Sequence, residues 1–171
     1  MSIRLFLSVL ILAGLVGISP TRAATSAVVG TGTPASCTES ALQTAVGAVN
    51  SAGGGTITFA CGGAHTITLT QQLRFDQTSA TYLLDGGGLI TLNGNDQTRL
   101  IYTASGKGLR LTVRGLTLTD GRAAFDLTGE RAANQGGAIY SGYENTLIVE
   151  SVNFINNTAL ADRKSTRLNS S

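Results

Sequence analysis

Two stretches of this chain, residues 111–123 and 147–159, repeat one pattern of apolar and polar positions 36 residues apart (147 − 111 = 36). In each stretch apolar residues alternate with polar ones, the alternation slips by one position, and then it resumes. The apolar positions are Leu111, Val113, Leu116 and Leu118 in the first stretch and Leu147, Val149, Val152 and Phe154 in the second. Because a straight strand cannot keep both halves of this pattern on one face, we expect the chain to turn a corner at 114–115 and again at 150–151.

Short strands separated by corners, repeated along a sequence, predict a coil of stacked rungs. The predicted fold class is therefore all-β, a parallel β-helix in which one chain winds as a single-stranded solenoid. The predicted strands are 56–60, 65–70, 82–85, 89–92, 100–103, 109–113, 116–119, 138–140 and 146–154, the last with its corner. Segments rich in glycine and asparagine at 86–88, 93–95 and 105–108 mark the turns between them.

One helix is predicted, over residues 38–50, where apolar residues recur on a single face. Ser36 and Glu39 have the spacing of a capping box, and the glycines of 53–55 end the helix. Because it precedes the first rung, we expect this helix to form the N-terminal cap of the solenoid. A membrane-binding amphipathic helix is the alternative, but the segment lacks basic residues.

The two ends of the chain differ in character from the rest. Residues 1–23 combine an early positive charge, an apolar run and small residues near Ala23, the pattern of a secretory signal peptide. Residues 162–171 (DRKSTRLNSS) resemble the translation of a sequencing adapter joined to a shortened gene. A genuine polar tail is the alternative. On the adapter interpretation, 24–161 form the N-terminal part of a β-helix domain truncated at its C-terminal end, with an open strand edge that favours association.

Charge and cysteine content narrow the function classes. The whole chain has a formal net charge of +2, but residues 24–161 hold seven basic and nine acidic residues, a net charge of −2 (7 − 9 = −2), which predicts no nucleic-acid partner. No segment after the signal peptide is apolar enough to span a membrane. Cys37 and Cys61 are the two cysteines, and a secreted chain predicts a disulfide between them. A zinc site or a reactive thiol is the weaker alternative, because neither nearby histidines nor a base accompanies them.

The 36-residue spacing exceeds the roughly 20 to 25 residues that one compact coil needs. The surplus, 122–135, is predicted to project as a loop, and loops on a rigid scaffold commonly carry binding residues. Its candidate binding residues are Asp126, Glu130 and Arg131. Tyr140 and Tyr143 flank the neighbouring strand and have the rings to stack on a sugar, although packing between rungs explains them equally well.

The sequences GGAI at 136–139 and FINN at 154–157 resemble the paired repeat of polymorphic outer-membrane proteins. More broadly, residues 28–159 resemble large secreted bacterial right-handed β-helix repeat proteins. This resemblance implies a right-handed β-helix at the cell surface or outside the cell, often with a C-terminal anchor or secretion element. The fold is shared with pectate lyases, but a shared fold does not transfer activity.

We therefore expect a noncatalytic secreted or cell-surface protein that presents loops for adhesion or carbohydrate contact. Its expected partners are an extracellular carbohydrate or a host or cell-surface ligand, and no catalytic residue, metal or cofactor is assigned. The alternative is a polysaccharide lyase or glycoside hydrolase with its catalytic rungs beyond the truncation. The charged residues available for that alternative are Asp120, Arg122, Asp126, Glu130 and Arg131. Of these, Asp120 is predicted to be a turn residue, and the single histidine, His65, to have a structural role.

Overall fold

The computed structural model describes residues 25–123 and 135–159. The predicted signal peptide, the adapter-like tail and most of the predicted projecting loop lie outside these residues. The helix α1 is Glu39–Ser51. The strands are β1 Thr25–Val29, β2 Gly54–Phe59, β3 His65–Thr68, β4 Leu73–Phe75, β5 Thr81–Asn93, β6 Ile101–Thr103, β7 Arg110–Thr119, β8 Ile139–Ser141, β9 Thr146–Glu150 and β10 Asn153–Ile155.

The strands form two sheets in which every pair is parallel. The larger has seven strands in the order β1-β2-β5-β7-β10, with β3 paired to β5 and β9 paired to β7. The smaller has three strands in the order β4-β6-β8. Buried apolar side chains from both sheets and from α1 form one hydrophobic core.

The predicted right-handed parallel β-helix is wrong. The described strands form a seven-stranded and a three-stranded parallel sheet, and they do not form a single-stranded solenoid. The reason lies in how the chain absorbs the slip in its apolar pattern. The strand β7 continues through the expected corner, with Gly115 in the left-handed region at a φ of 59°, so both halves of the pattern stay in one sheet. The described chain is mostly β with one helix.

The pairing expected from the repeat is confirmed. Arg110 of β7 lies beside Thr146 of β9, and Thr117 lies beside Asn153 of β10, so the strands align with the 36-residue offset of the sequence. All the predicted inward residues of β7 are buried: Leu111, Val113, Leu116 and Leu118. The slip is therefore a local bulge that returns the apolar side chains to the same face of the sheet.

A second bulge lies where the sequence predicted a turn. Residues 82–85 and 89–92 belong to one continuous strand, β5, which shifts register against β7 between Asp85 and Ile90. Asp85 accepts a hydrogen bond from the Gly87 amide at 3.0 Å, and Gly87 has a φ of 61°. A Cβ at Gly86 would lie 2.5 Å from the Gly115 carbonyl oxygen, so glycine is required where the two bulges meet.

Helix α1 matches the predicted helix to within one residue at each end, but the solenoid that it was expected to cap is not formed. Its buried residues are Leu42, Ala45, Val46 and Val49, and it packs against β1, β2 and β4. The expected capping box is wrong, because Thr38 is the N-cap and its hydroxyl accepts from the Ala41 amide. The Glu39 carboxylate instead accepts hydrogen bonds from the amides of Thr70 and Gln71, which fasten α1 to the segment after β3.

The Cys37–Cys61 disulfide is confirmed, with a Cα–Cα distance of 5.6 Å. It joins the residue before the N-cap of α1 to the segment after β2. His65 begins β3, and its Nε2 lies 3.1 Å from the Cys37 carbonyl oxygen, which gives this histidine a structural partner. Within the described part of the chain, no helix is long and apolar enough to cross a membrane.

Candidate functional site

The outer face of the three-stranded sheet carries a row of one cation and two aromatic rings. Each of its strands is three residues long. In β4 and β6 the two flanking residues are buried and the middle one faces outward, and Tyr140 has the same middle position in β8. The middle residues Arg74, Tyr102 and Tyr140 lie in register across β4, β6 and β8. We call these three residues the aromatic row.

Contacts within the aromatic row are close. The rings of Tyr102 and Tyr140 stack with centroids 5.3 Å apart and planes 14° from parallel. The Arg74 guanidinium carbon lies 4.8 Å from the Tyr102 centroid, within the range of a cation–π interaction. Both rings are partly exposed, and Arg74 is exposed. Arg74 also forms a 3.3 Å ion pair with Asp76.

A second cation, Arg99, lies behind the same rings. Its guanidinium carbon is 5.2 Å from the Tyr140 centroid and 5.7 Å from that of Tyr102. The side chain is buried and donates hydrogen bonds to Gln72 Oε1 and to the carbonyl oxygens of Gln135 and Gly136. Burial lowers the pKa of Arg99, but a guanidinium remains charged at neutral pH. Two positive charges therefore lie close to the rings, Arg74 within the aromatic row and Arg99 beside it.

The sequence candidates divide into two groups. Asp126, Glu130 and Arg131 lie outside the described residues, so their assignment stays a prediction. Tyr140 stacks on Tyr102 and belongs to the aromatic row. Tyr143 follows β8 on a turn, where its side chain is 68% exposed and its carbonyl accepts a hydrogen bond from the Gly106 amide.

A charged row crosses the outer face of the larger sheet. Asp85, Arg114 and Glu150 lie in register on β5, β7 and β9. Arg114 forms a 2.6 Å ion pair with Asp85, which lowers the pKa of the Asp85 carboxyl and raises that of Arg114. Glu150 raises the pKa of Arg114 further by charge attraction. Arg114 therefore holds one of the two carboxylates, Asp85, in a direct ion pair.

The charged row borders an open cavity of about 400 Å³. Its lining is Gly55, Thr56, Thr81, Tyr82, Leu83, Thr112, Arg114 and Glu150. The described residues contain no group of three or more His, Cys, Asp or Glu side chains able to hold a metal ion.

The predicted turn position of Asp120 is confirmed, and Asn156 lies in a similar turn. Asp120 has a φ of 50° and Asn156 a φ of 52°, both in the left-handed region that short polar residues tolerate. The neighbouring Asn157 amide donates to the Leu118 carbonyl at 2.8 Å and accepts from the Gly121 amide at 2.8 Å. These residues hold turns between strands.

The sequence reasoning missed Arg74, Arg99 and Tyr102. For Arg74 and Tyr102 the sequence did contain a signal. The triplets Leu-Arg-Phe, Ile-Tyr-Thr and Ile-Tyr-Ser share one pattern, a polar or aromatic residue in the middle position of a short strand. The strand β4 was not predicted, so Arg74 had no assigned neighbours. Arg99 had no local signal, since its partners at 72 and 135–136 are distant in the chain.

Searches of family models, of curated proteins and of solved structures gave no match to this chain.

Proposed function

We propose that this chain is a noncatalytic secreted or cell-surface protein that contacts carbohydrate, with the aromatic row as its contact surface. The observation that carries this proposal is the partly exposed stack of Tyr102 and Tyr140 beside the Arg74 guanidinium. Aromatic rings offer apolar faces and edges to the C–H surfaces of a sugar, and their hydroxyl groups remain available for hydrogen bonds.

The charge beside the rings favours an anionic sugar. A guanidinium presents a planar fork of N–H donors that matches a carboxylate, and Arg74 is exposed while Arg99 adds positive charge from below. Asp76 is the carboxylate beside the row, and it is engaged by Arg74 and by the Gln77 amide group. A uronate-bearing oligosaccharide is therefore the ligand class that fits the aromatic row.

An extracellular location is supported by the Cys37–Cys61 disulfide, since structural disulfides persist in oxidising compartments. The noncatalytic assignment is supported by the chemistry of the described part of the chain. In its charged row Asp85 is held in an ion pair by Arg114, and the carboxylate nearest the aromatic row is hydrogen-bonded to its neighbours. The adhesive role of the loop residues Asp126, Glu130 and Arg131 remains part of the proposal.

The test is calorimetric titration with an oligouronate and with a neutral oligosaccharide of equal length. We expect the oligouronate to bind more tightly, and Arg74→Gln to weaken its binding about tenfold, the loss of one charge-assisted hydrogen bond. Arg110→Gln is the matched control, because Arg110 is also exposed but lies on β7 of the other sheet. Tyr102→Ala should weaken both ligands.

Equal binding of the oligouronate to the Arg74 and Arg110 variants would contradict the aromatic row as the contact surface. The same samples, incubated with a uronate polymer and calcium, test the noncatalytic assignment. Release of shortened chains by the wild-type protein would overturn it and favour a lyase or hydrolase.

A further inference from the structure

Helix α1 contacts the segment that leads into the aromatic row through a stripe of polar side chains. Glu39, Gln43 and Asn50 are four and seven residues apart (43 − 39 = 4 and 50 − 43 = 7), so they lie on one side of the helix, next to its buried apolar face. Each of the three forms a hydrogen bond to the backbone of residues 70–74. We call these three residues the polar stripe of α1.

The first two residues of the polar stripe hold the segment just before β4. The Glu39 carboxylate accepts hydrogen bonds from the amides of Thr70 and Gln71, at 2.8 and 2.9 Å. The Gln43 side-chain amide donates to the Gln71 carbonyl at 3.2 Å. Both polar groups of the Gln71 backbone are therefore bound by side chains of α1, and the helix sets the path of the chain into β4.

The third residue of the polar stripe reaches β4 itself. The Leu73 amide and the Phe75 carbonyl both form hydrogen bonds with backbone groups that flank β6. Because successive residues of a strand bond to opposite sides, the carbonyl of Arg74 points away from β6. There the Asn50 side-chain amide donates to it at 2.8 Å. Asn50 thus supplies the hydrogen bond that a neighbouring strand would otherwise supply.

The Asn50 side chain is itself held in one orientation. Its oxygen accepts a hydrogen bond from the Tyr82 hydroxyl at 2.8 Å. Tyr82 is buried, and its ring packs against that of Phe75 with centroids 4.9 Å apart. Because the Arg74 carbonyl can only accept, the nitrogen of the Asn50 amide is the atom that faces it. Asn50 therefore joins three elements, α1, β4 and β5.

The backbone position of Arg74 determines what its side chain reaches. Strand β4 is three residues long and pairs only with β6 among the described residues, so few backbone contacts hold it. From this position the Arg74 guanidinium carbon lies 4.8 Å from the Tyr102 centroid. The cation–π contact and a hydrogen bond to a ligand both depend on the distance and direction of the guanidinium.

The ion pair with Asp76 is a weaker hold on Arg74. The two side chains are 55% and 34% exposed, and their charged atoms lie 3.3 Å apart. Exposed ion pairs contribute little, because water screens them and two long side chains must be ordered. Asp76 also follows Arg74 by two residues in the chain, so it moves together with β4 and does not anchor that strand to the rest of the molecule.

We propose, building on the proposed function of the aromatic row, that Asn50 is a positioning residue for that row. Asn50 holds the Arg74 backbone so that the guanidinium lies beside Tyr102, where it meets the carboxylate of an anionic sugar. It acts through Arg74 and is not itself a contact residue. Helix α1 is then part of the binding apparatus as well as of the core.

Two substitutions separate positioning from stability. Asn50→Ala removes the hydrogen bonds to Arg74 and to Tyr82 without adding a charge. Tyr82→Phe is the matched control, because it removes the second of these bonds and leaves the first in place. Circular dichroism checks that both variants fold. If Asn50→Ala does not fold, Asn50→Ser replaces it, since a serine hydroxyl is too short to bridge both groups.

Calorimetric titration with the oligouronate and the neutral oligosaccharide measures the effect on binding. Asn50→Ala should weaken oligouronate binding about fivefold and leave the neutral ligand unchanged, whereas Tyr82→Phe should change neither. In the Arg74→Gln background Asn50→Ala should have no further effect, because its action runs through the guanidinium. Additive losses in the double variant, or equal weakening of both ligands, would overturn the proposal.

A readout without ligand tests the positioning itself. The Arg74 guanidinium lies over the Tyr102 ring, whose ring current shifts the NMR signals of the Arg74 side chain. Asn50→Ala should move these signals towards those of a Tyr102→Leu variant, and Tyr82→Phe should leave them in place. Unchanged signals in Asn50→Ala would overturn the proposal. Shifted signals in a protein whose wild type binds no oligouronate would refute the proposed function and leave the positioning of Arg74 intact.

Discussion

A single row of apolar side chains crosses the seven-stranded sheet, and it is buried at one end but half exposed at the other. Ile57, Leu84, Val113 and Val149 lie in register on four successive strands. The first three are at most 1% exposed, whereas Val149 is 42% exposed. At one end, which we call the covered end, α1 packs against β1 and β2. At the other, β9 and β10, which we call the open edge, have no strand beyond them among the described residues.

This difference shows that the apolar pattern selects the face of the strand but not its degree of burial. Phe154 lies beside Leu118 in the same inward row, and yet Leu118 is buried and Phe154 is half exposed. Leu118 lies on a strand that pairs on both sides, whereas the strand of Phe154 pairs only with β7 among the described residues. The stability of the molecule should therefore depend more on the covered end than on the open edge.

The largest expected contrast comes from removing one large side chain at each end. Leu42→Ala, in the buried face of α1, should lower the free energy of unfolding by about 3 to 4 kcal/mol, because it loses burial and leaves a cavity. Phe154→Ala in β10 should cost about 1 kcal/mol or less, since its ring is half exposed. Urea unfolding of dilute protein measures both values. Equal losses would contradict the proposed difference between the ends.

The disulfide should contribute about as much to the free energy of unfolding as the Leu42 side chain does. Replacing both Cys37 and Cys61 by alanine should lower the free energy of unfolding by about 3 kcal/mol, the value expected for a closed loop of this length. Thermal unfolding with and without reductant gives the same comparison in the wild-type protein. A double variant as stable as the wild type would show that α1 stays in place without the cross-link.

Two valines offer a matched pair of smaller effect. Val49→Ala removes two methyl groups from the fully buried face of α1 and should cost about 2 kcal/mol. The same change at Val149 should cost about 0.5 kcal/mol in dilute protein, because that side chain retains much of its contact with water. A larger loss at Val149 than at Val49 would mean that the open edge is covered in the isolated molecule.

The smallest expected effect is that of removing the ion pair between Asp85 of β5 and Arg114 of β7. The hydrogen bond from Arg114 lowers the folded-state pKa of Asp85 below its ordinary value, so the stabilisation is present above about pH 3.9, the unfolded pKa. It is lost as pH falls from there through the lowered folded pKa. Asp85→Asn should cost less than about 1 kcal/mol at neutral pH and nothing in strong acid.

Glu150→Gln is the control for that measurement. Glu150 also borders Arg114, but Asp85 is the carboxylate that forms the 2.6 Å ion pair. The variant should therefore show a smaller loss than Asp85→Asn in the same series of unfolding curves. A loss for Asp85→Asn that grows towards low pH would have the wrong sign for a lowered pKa.

Local features of the fold could be predicted because they depend on short-range patterns. The helix, the disulfide, the inward residues of β7 and the 36-residue pairing were all legible in the sequence. The β-helix prediction was wrong, because a one-residue slip in the apolar alternation is compatible both with a corner between sheets and with a bulge within one strand. Gly115 and Gly87 permit the bulge, and the sequence alone does not distinguish the two outcomes.

The candidate site was less predictable because it is assembled by register. Tyr140 was selected for its ring, but its stacking partner Tyr102 and the neighbouring Arg74 become adjacent only when β4, β6 and β8 align. The strands β4, β6 and β8 are three residues long, too short for periodicity to specify them reliably. Arg99 depends on partners far away in the chain.

Residue-resolved hydrogen exchange in dilute protein tests the difference between the two ends most directly. Leu111 and Val113 of β7 and Leu147 and Val149 of β9 are equivalent positions, but the first pair has β9 as a neighbour and the second has no strand beside it among the described residues. We predict slow exchange at Leu111 and Val113 and fast exchange at Leu147 and Val149. Equal protection of both pairs in the most dilute sample would contradict the account.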